Sequence, residues 1–194
     1  MSFTKIREVI SPEVLKDLYP LSAEATAVKA ARDEEMKKII EEKTANIQLL
    51  NERSISNEKV ADIRVKYSNL KAATIEGEII PRLIDEIPII AVAATQAEGT
   101  TVIKDAQDLR NKEADRITAV KVELEKLGAN IEETIINGKT ELNGDCEIEC
   151  YHDHRIAMSA HVAGLICKKP IEINEFQWVN ISFPEYLDLI KSIS

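Results

Sequence analysis

Two segments of the chain repeat the same order of residue types. DEIPIIAVAATQAEGTTVIKDA begins at Asp85 and DHRIAMSAHVAGLICKKPIEIN begins at Asp153. Each gives an aspartate, an alanine-rich apolar stretch, a small-residue break and a β-branched segment. A period of about 70 residues is too long for a typical solenoid. The repeat therefore predicts one α/β unit duplicated inside a domain, with strands and helices alternating and with both helices buried.

Helix signals extend this pattern. Asp85 and Asp153 stand where N-caps are expected, because a carboxylate there accepts backbone N–H bonds and complements the positive helix end. A third helix is expected over 115–127, which carries apolar residues on one face and Gly128 as its stop. Three helix starts are thus predicted, and all three are charged.

Strand signals lie on both sides of the first repeat. Residues 61–67 alternate apolar and charged side chains, which is the pattern of a half-buried strand. Asn-Gly pairs at 137 and 143 predict two tight turns around a short strand at 139–142.

Residues 1–45 differ from the rest of the chain, because their sequence carries signals for helices alone. Ser11 and Pro12 are typical of a helix start, Pro20 ends that helix, and a second helix with a broken apolar stripe follows from Ser22. We expect a helical leader at 1–45 and one α/β domain at 46–194.

Charge and cysteine content narrow the function classes. The chain has 34 acidic and 25 basic residues, a net charge of -9, and no basic run, which disfavours nucleic-acid and anionic-membrane partners. Its apolar runs, near 87–97 and 156–167, are too short to cross a bilayer. The start of the chain has no secretion-signal pattern, and Cys146, Cys150 and Cys167 are too few for a disulfide scaffold. A cytoplasmic protein is expected.

Charged residues at the three predicted helix starts point to an anion site. His154 and Arg155 add positive charge to a helix end that is already positive, and a bound anion would resolve that conflict. The segment LRNKEADRI at 109–117 likewise places charged residues at the start of the predicted middle helix. Taken alone it is a solvated helix start with local ion pairs. Should the repeat bring the starts to one edge, they would form an electropositive pocket with two or three carboxylates, suited to a small polyanion undergoing proton transfer.

Five motifs in this order resemble the C-terminal part of 5-enolpyruvylshikimate-3-phosphate synthase (EPSP synthase). They are LIDEIPIIAVAATQAEGTT, LRNKEADRI, LGA at 127–129, DHRIAMSAHVAGL and SFPEYL. KEADRI together with DHRIAMS distinguishes this family from UDP-N-acetylglucosamine enolpyruvyl transferase. The resemblance implies the fold of an enolpyruvyl transferase domain, an inside-out α/β barrel-like arrangement of repeated βαβαββ units.

The resemblance also implies a reaction. The family transfers an enolpyruvyl group from phosphoenolpyruvate to the 5-hydroxyl of shikimate 3-phosphate, in chorismate biosynthesis, without metal or other cofactor. Carried over by motif, Asp85 would hold and help to deprotonate the attacking hydroxyl. Lys112 would contact the shikimate and the developing charge, and Glu113 would move the proton at the methylene carbon. Asp108 stands where some members direct an asparagine toward shikimate.

The remaining implied residues bind the anion. Arg116 and Arg155 would clamp the carboxylate of phosphoenolpyruvate, with His154 beside them. Guanidinium groups suit this task because they do not deprotonate. The chain departs from the family at Ile181, where many members have a phosphate-binding lysine, and at Asn111, which replaces an apolar residue.

The family's chain is about twice as long and its N-terminal domain supplies the other substrate contacts. This chain therefore resembles half of an active site, and we expect weak or no activity alone, with either an N-terminal domain or a second copy as its partner. The leader, 1–45, resembles the N-terminal segment of 3-deoxy-7-phosphoheptulonate (DAHP) synthase, which suggests a truncated or fused shikimate-pathway chain. The alternative function is a non-catalytic anion-binding or interaction module.

Other polar residues have structural interpretations. Cys146, Cys150, His152 and His154 have an even spacing that admits a zinc site, but the spacing fits no common finger, and strand packing is favoured. His161 is expected to be a hydrogen-bonded core or interface residue, and Trp178 a packing residue near the last helix.

Overall fold

The computed structural model describes residues 46–55 and 58–192, so the predicted leader at 1–45 lies outside the described residues. The strands are β1 (Asn46–Ile55), β2 (Glu58–Lys66), β3 (Thr74–Ile75), β4 (Thr100–Ile103), β5 (Asn130–Glu132), β6 (Ile135–Asn137), β7 (Glu147–Ile148) and β8 (Glu172–Ile173). The α-helices are α1 (Ile80–Leu83), α2 (Ile87–Gln96), α3 (Arg116–Lys126), α4 (His154–Ile166) and α5 (Tyr186–Ser192). Short 3-10 helices span Gly77–Ile79, Gln107–Asn111 and Phe176–Ile181.

The duplicated unit predicted from the repeat is present. Strand β3 pairs in parallel with β4, and α2 lies between them in the chain. Strand β7 likewise pairs in parallel with β8, and α4 lies between them. Helices α2 and α4 pack against each other, and both carry buried alanines, among them Ala91 and Ala157. Because alanine lets two helices approach closely, both helices are interior, as the sequence predicts.

Helix α3 lies between the two units in the chain and forms where the sequence predicts it. Asp115 is its N-cap and accepts a hydrogen bond from the amide of Thr118, which satisfies a donor that the first turn leaves open. Gly128 follows the helix with φ of +92°, a conformation that glycine adopts without steric cost. The four-stranded sheet beside it has the order β3-β4-β6-β5, in which β6 runs antiparallel to both neighbours.

Strands β1 and β2 form a separate antiparallel ribbon. The alternating segment at 61–67 falls mainly in β2, where Ala61, Ile63 and Val65 are half-buried and the charged residues between them are exposed, whereas Tyr67, just after the strand, is exposed. Cross-strand pairs such as Ile47 with Val65 and Leu49 with Ile63 share one face of the ribbon. The prediction of a half-buried strand is confirmed.

The predicted short strand at 139–142 is wrong. This stretch instead bonds to the end of α2: the amide of Thr140 donates to the carbonyl of Thr95 at 2.8 Å, and the Gln96 side chain donates to the carbonyl of Thr140 at 2.9 Å. These bonds use the backbone groups that a strand would need for a partner. The Asn-Gly pair at 137 does mark a close approach, since a Cβ on Gly138 would lie 1.8 Å from the Ala97 carbonyl oxygen.

His161 and the last helix complete the core. The His161 ring on α4 is buried and lies 3.0 Å from the hydroxyl of Tyr186 on α5, so the prediction of a hydrogen-bonded core histidine is confirmed. Trp178 is partly buried against the core ahead of α5, as predicted. In the part of the chain that the structure describes, every helix falls short of the length and apolar character that a membrane crossing requires.

Candidate functional site

The guanidinium of Arg116 is the centre of the candidate site. Arg116 is the first residue of α3, and its side chain is 1% exposed. Its Nε donates to Asp153 at 2.7 Å, its Nη1 to Asp85 at 2.9 Å and its Nη2 to Glu113 at 2.8 Å. The Arg116 cluster is the set Asp85, Lys112, Glu113, Arg116 and Asp153. The cluster joins the starts of α2, α3 and α4, which is the convergence that the repeat predicts.

Asp153 has two tasks in this cluster. It is the N-cap of α4, and its carboxylate accepts hydrogen bonds from the amides of Arg155 at 2.8 Å and Ile156 at 3.4 Å. The same carboxylate binds Arg116 and is fully buried. A buried carboxylate is tolerated only when its oxygens are paired and hydrogen-bonded, and here helix amides and a guanidinium supply those partners.

Asp85 does not cap α2, so that expectation from the sequence is wrong. The N-cap is Glu86, whose side chain makes no capping bond. The carboxylate of Asp85 lies instead between Arg116 and Lys112, the latter at 3.3 Å, because two cations are stronger partners than neutral amides. Partial burial alone would raise the pKa of Asp85, but the bonds from Arg116 and Lys112 outweigh burial and lower it. Asp85 is therefore held as a carboxylate.

Glu86, the N-cap of α2, forms an ion pair with Arg155 at the start of α4. Both carboxylate oxygens of Glu86 lie 3.2 Å from Nη1 of Arg155, on the first turn of α4. Glu86 is buried, whereas the side chain of Arg155 is 25% exposed. The sequence argument missed Glu86 because it aligned the repeats on Asp85. Alignment on the N-cap positions pairs Glu86 with Asp153 and would have found it.

The other predicted site residues lie around the cluster. His154 is the half-buried first residue of α4, next to Asp153. Asp108 is exposed on the 3-10 helix Gln107–Asn111, just before Lys112 in the chain. Ile181 ends another 3-10 helix and is 69% exposed. The roles of these residues as ligands stay predictions.

The charge of the site differs from the electropositive pocket predicted from the sequence. The Arg116 cluster and the adjacent Glu86–Arg155 pair together hold four carboxylates and three cations. The carboxylates are those of Asp85, Glu86, Glu113 and Asp153, and the cations are Lys112, Arg116 and Arg155. Arg116 and Asp153 are shielded from solvent, whereas Asp85, Lys112 and Glu113 are 40%, 31% and 49% exposed. The accessible rim therefore presents carboxylates beside cations, which is the combination that anion binding with proton transfer requires.

The zinc alternative gains no support. Within residues 46–55 and 58–192, no group of three or more His, Cys, Asp or Glu side chains is arranged to hold a metal ion. Cys150 is buried and its thiol donates to the carbonyl of Glu175, and the ring of His152 lies against Trp178. Burial raises the pKa of the Cys146 and Cys150 thiols, which disfavours the thiolate that zinc binds.

Comparison with known proteins gives one consistent family. A family model described as EPSP synthase (3-phosphoshikimate 1-carboxyvinyltransferase) matches residues 24–190, and so extends into the predicted leader. The 3-phosphoshikimate 1-carboxyvinyltransferase of Petrotoga mobilis is 53% identical over 153 residues, which are 77% of this chain and 35% of that protein. The enzyme of Alkaliphilus oremlandii is 49% identical over 160 residues, 80% of this chain and 37% of that protein. The chain thus spans little more than a third of the length of these relatives.

The comparison with solved structures is consistent with this family. An EPSP synthase from Acinetobacter baumannii superposes with a TM-score of 0.76 at 36% identity, over 84% of this chain and 39% of that one. The enolpyruvyl transferase NikO from Streptomyces tendae superposes with a TM-score of 0.58 at 15% identity, over 81% of this chain and 34% of that one. The second likeness concerns the fold alone. Together they confirm the predicted mixed α/β enolpyruvyl transferase fold.

Proposed function

The chain belongs to the EPSP synthase family, and from that premise we propose that it is an enolpyruvyl transferase domain whose Arg116 cluster, with Arg155, is one side of the substrate site. The proposed reaction is transfer of the enolpyruvyl group of phosphoenolpyruvate to the 5-hydroxyl of shikimate 3-phosphate. The observation that supports it is the meeting of three helix starts, which places accessible cations and accessible carboxylates on one rim.

The chemistry assigns a task to each accessible group. The 5-hydroxyl oxygen adds to the central carbon of phosphoenolpyruvate while a proton is delivered to the methylene carbon. Loss of that proton then expels phosphate and restores the double bond. Asp85, held as a carboxylate, suits acceptance of the hydroxyl proton, and Lys112 beside it suits stabilisation of the developing charge. Glu113, nearly half exposed, suits the proton transfer at carbon.

The accessible cations are the first groups that a substrate anion would contact. Arg155 at the start of α4 and Lys112 are open to solvent, and His154 lies between Asp153 and Arg155 in the chain. Arg116, by contrast, already donates to three carboxylates. For Arg116 to bind the substrate carboxylate directly, as its motif implies, Asp85 or Glu113 has to give up its hydrogen bond. We propose that substrate binding includes that exchange of partners.

The matched part is 35% to 37% of the curated relatives, so other substrate contacts would come from outside this segment. We expect an N-terminal domain or a second copy of the chain to supply them, and little or no turnover by the chain alone. The same coverage favours the second candidate function, a non-catalytic module that keeps the fold and a weak affinity for anions.

An assay of phosphate release separates the two functions. The chain is supplied with phosphoenolpyruvate and shikimate 3-phosphate, alone and with added N-terminal domain of a relative. Turnover that disappears in Glu113→Ala and persists in Glu125→Ala establishes the transferase. Absence of turnover in both conditions, with phosphoenolpyruvate binding that depends on Arg155, establishes the binding module.

Three further expectations go with this proposal. The predicted similarity of residues 1–45 to DAHP synthase, the oligomeric state and the cytoplasmic location stay predictions.

A further inference from the structure

The turn directly before Asp153 has an unfavourable backbone conformation. Tyr151 and His152 have φ of +54° and +58°, in the left-handed region that residues with a Cβ seldom adopt. Two such residues in succession persist only where surrounding contacts hold them. The turn carries Asp153, His154 and Arg155, so its shape determines where those side chains lie.

A buried carboxylate on α3 supplies the main contact. Glu123 is 4% exposed, and its Oε1 accepts a 2.7 Å hydrogen bond from the hydroxyl of Tyr151. Its Oε2 accepts a 3.1 Å bond from the amide of Glu149 and lies 2.8 Å from Nζ of Lys126. No step of the proposed reaction uses Glu123. Its carboxylate is nevertheless buried, where it binds the loop that carries Glu149 and Tyr151. Burial of a carboxylate costs free energy unless each oxygen has partners.

Arg116 and Glu123 hold the loop at two points of the same helix face. They are seven residues apart on α3, which is about two helical turns, so their side chains project in the same direction. Arg116 binds the loop at Asp153, and Glu123 binds it at Tyr151 and Glu149. Two attachments on one rigid helix fix both the distance and the register of the loop, whereas one attachment would leave it free to pivot.

The contacts on the other side of the turn are weaker. His152 lies 2.8 Å from a carboxylate oxygen of Glu175, and its ring packs on Trp178. The side chains of His152 and Glu175 are 63% and 46% exposed, and exposed ion pairs of this kind contribute little. The thiol of Cys150 also donates to the carbonyl of Glu175, at a long 3.5 Å. The attachments to Arg116 and Glu123 on α3 are therefore the stronger ones that hold the turn.

We propose that Glu123 is a positioning residue for the candidate site: through Tyr151 and the amide of Glu149 it holds the turn 150–153 so that Asp153 meets Arg116 and so that His154 and Arg155 face the anion. The part that concerns the anion rests on the proposed function. The part that concerns Arg116 and Asp153 does not.

The Nε–H of Arg116 reports on this arrangement without any substrate. It is buried and hydrogen-bonded to Asp153, so in the full chain we expect its hydrogen exchange with water to be slow and its ¹H–¹⁵N signal to be distinct. Arg116→Lys assigns the signal by removing it. Tyr151→Phe deletes one hydroxyl and Glu123→Gln deletes one charge. We expect either change to speed exchange of the Arg116 Nε–H at least tenfold. The double variant should be no faster than the quicker single variant, because both changes break the same bond.

Matched controls separate positioning from a general loss of stability. Tyr67→Phe removes an exposed tyrosine hydroxyl, and Glu125→Gln removes an exposed carboxylate of the same helix. Both should leave the Arg116 exchange rate within twofold of the wild type. Should Glu123→Gln fail to fold, Tyr151→Phe decides alone. An exchange rate unchanged in Tyr151→Phe, or raised equally by Tyr67→Phe, overturns the proposal.

Titration with phosphoenolpyruvate distinguishes the failure of this proposal from the failure of the proposed function. Faster Arg116 exchange together with at least fivefold weaker binding in Tyr151→Phe supports both. Faster exchange in a chain whose wild type binds no phosphoenolpyruvate keeps the positioning of Asp153 on Arg116 and removes the proposed function. Where the wild type does bind phosphoenolpyruvate, equally tight binding by Tyr151→Phe overturns the positioning role for the site, whatever the exchange rate does.

Discussion

Arg116 and Asp153 form an ion pair from which solvent is excluded on both sides: Nε and Oδ2 are 2.7 Å apart, and the two side chains are 1% and 0% exposed. Both residues stand at helix starts, Arg116 as the first residue of α3 and Asp153 as the N-cap of α4. Burial lowers the pKa of Arg116, but its hydrogen bonds to Asp153 and Asp85 outweigh that effect and raise it, so the guanidinium stays charged. Removal of one partner would leave the other charge buried and uncompensated.

Arg116→Met should destabilise the chain by about 3–5 kcal/mol at neutral pH, because Asp153 would lose the one counter-charge it has among the described residues, in a dry environment. Urea unfolding followed by circular dichroism measures the change. Lys121→Met on the same helix removes an exposed pair with Glu125 and should cost less than about 0.5 kcal/mol. A loss below about 1 kcal/mol for Arg116→Met would show that the cluster does not hold the three helices together.

His161 should make stability depend on pH between about 7 and 5. Burial lowers the pKa of its imidazole to about 4, whereas in the unfolded chain the pKa is near 6.5. Between these values the unfolded state binds the extra proton, so the free energy of unfolding falls as pH falls. The expected loss from pH 7 to pH 5 is about 2 kcal/mol, measured by urea titration at both pH values.

The matched pair for this experiment is His161→Gln and His152→Gln. His161→Gln should remove most of the pH dependence over this interval, although it also costs stability at pH 7. His152 is exposed, and His152→Gln should retain the dependence of the wild type. Equal pH dependence in all three chains would contradict the assignment.

Gly138→Ala should be among the most damaging single methyl additions in the described residues. The new Cβ would lie 1.8 Å from the carbonyl oxygen of Ala97 and 2.7 Å from that of Ala94, and backbone atoms cannot turn away as side chains do. We expect a loss of about 3 kcal/mol or more, or no soluble protein.

Gly164→Ala provides the comparison for that substitution. Its Cβ would lie 2.8 Å from Cδ1 and 2.9 Å from Cγ1 of Ile171, which are side-chain atoms that a rotamer change can move, and alanine favours the α4 helix. The net change should be within about 1 kcal/mol of zero. A Gly138→Ala chain as stable as Gly164→Ala would show that the loop after β6 moves away easily.

Glu113→Ala should separate activity from stability. The side chain of Glu113 is 49% exposed and its ion pair with Arg116 lies on one helix start, so its removal should cost less than about 1 kcal/mol. Phosphate release, where the chain supports it with an added N-terminal domain, should fall at least 100-fold because the proton transfer at carbon loses its group. Turnover unchanged in Glu113→Ala would move the catalytic role elsewhere.

The sequence predicted the elements of the fold better than the partners of the side chains. The repeat and the apolar periodicity placed α2, α3 and α4 correctly, because burial of an alanine-rich helix and the caps of α3 and α4 are local properties of the chain. The prediction of the strand at 139–142 failed because those backbone groups bond to α2, a long-range partner that turn residues do not reveal.

In the candidate site, too, the sequence predicted the positions of residues better than the partners of their side chains. Asp85 and Asp153 look alike in the sequence, yet Asp153 caps its helix and Asp85 does not, because α2 begins one residue later than the repeat implies and has Glu86 as its N-cap. Glu123 looks like an ordinary polar residue of an amphipathic helix. Its burial becomes visible only when the loop before α4 folds back onto α3.

The asymmetry between the two repeated units follows from the single guanidinium that serves both. Arg116 belongs to neither unit, and it accommodates one solvent-free aspartate from the second and one partly hydrated aspartate from the first. Burial of Asp85 as complete as that of Asp153 would place two dehydrated carboxylates against one cation. The partial hydration of Asp85 is therefore a condition for one guanidinium to serve both units, and a redesign that buried both aspartates would need a second arginine.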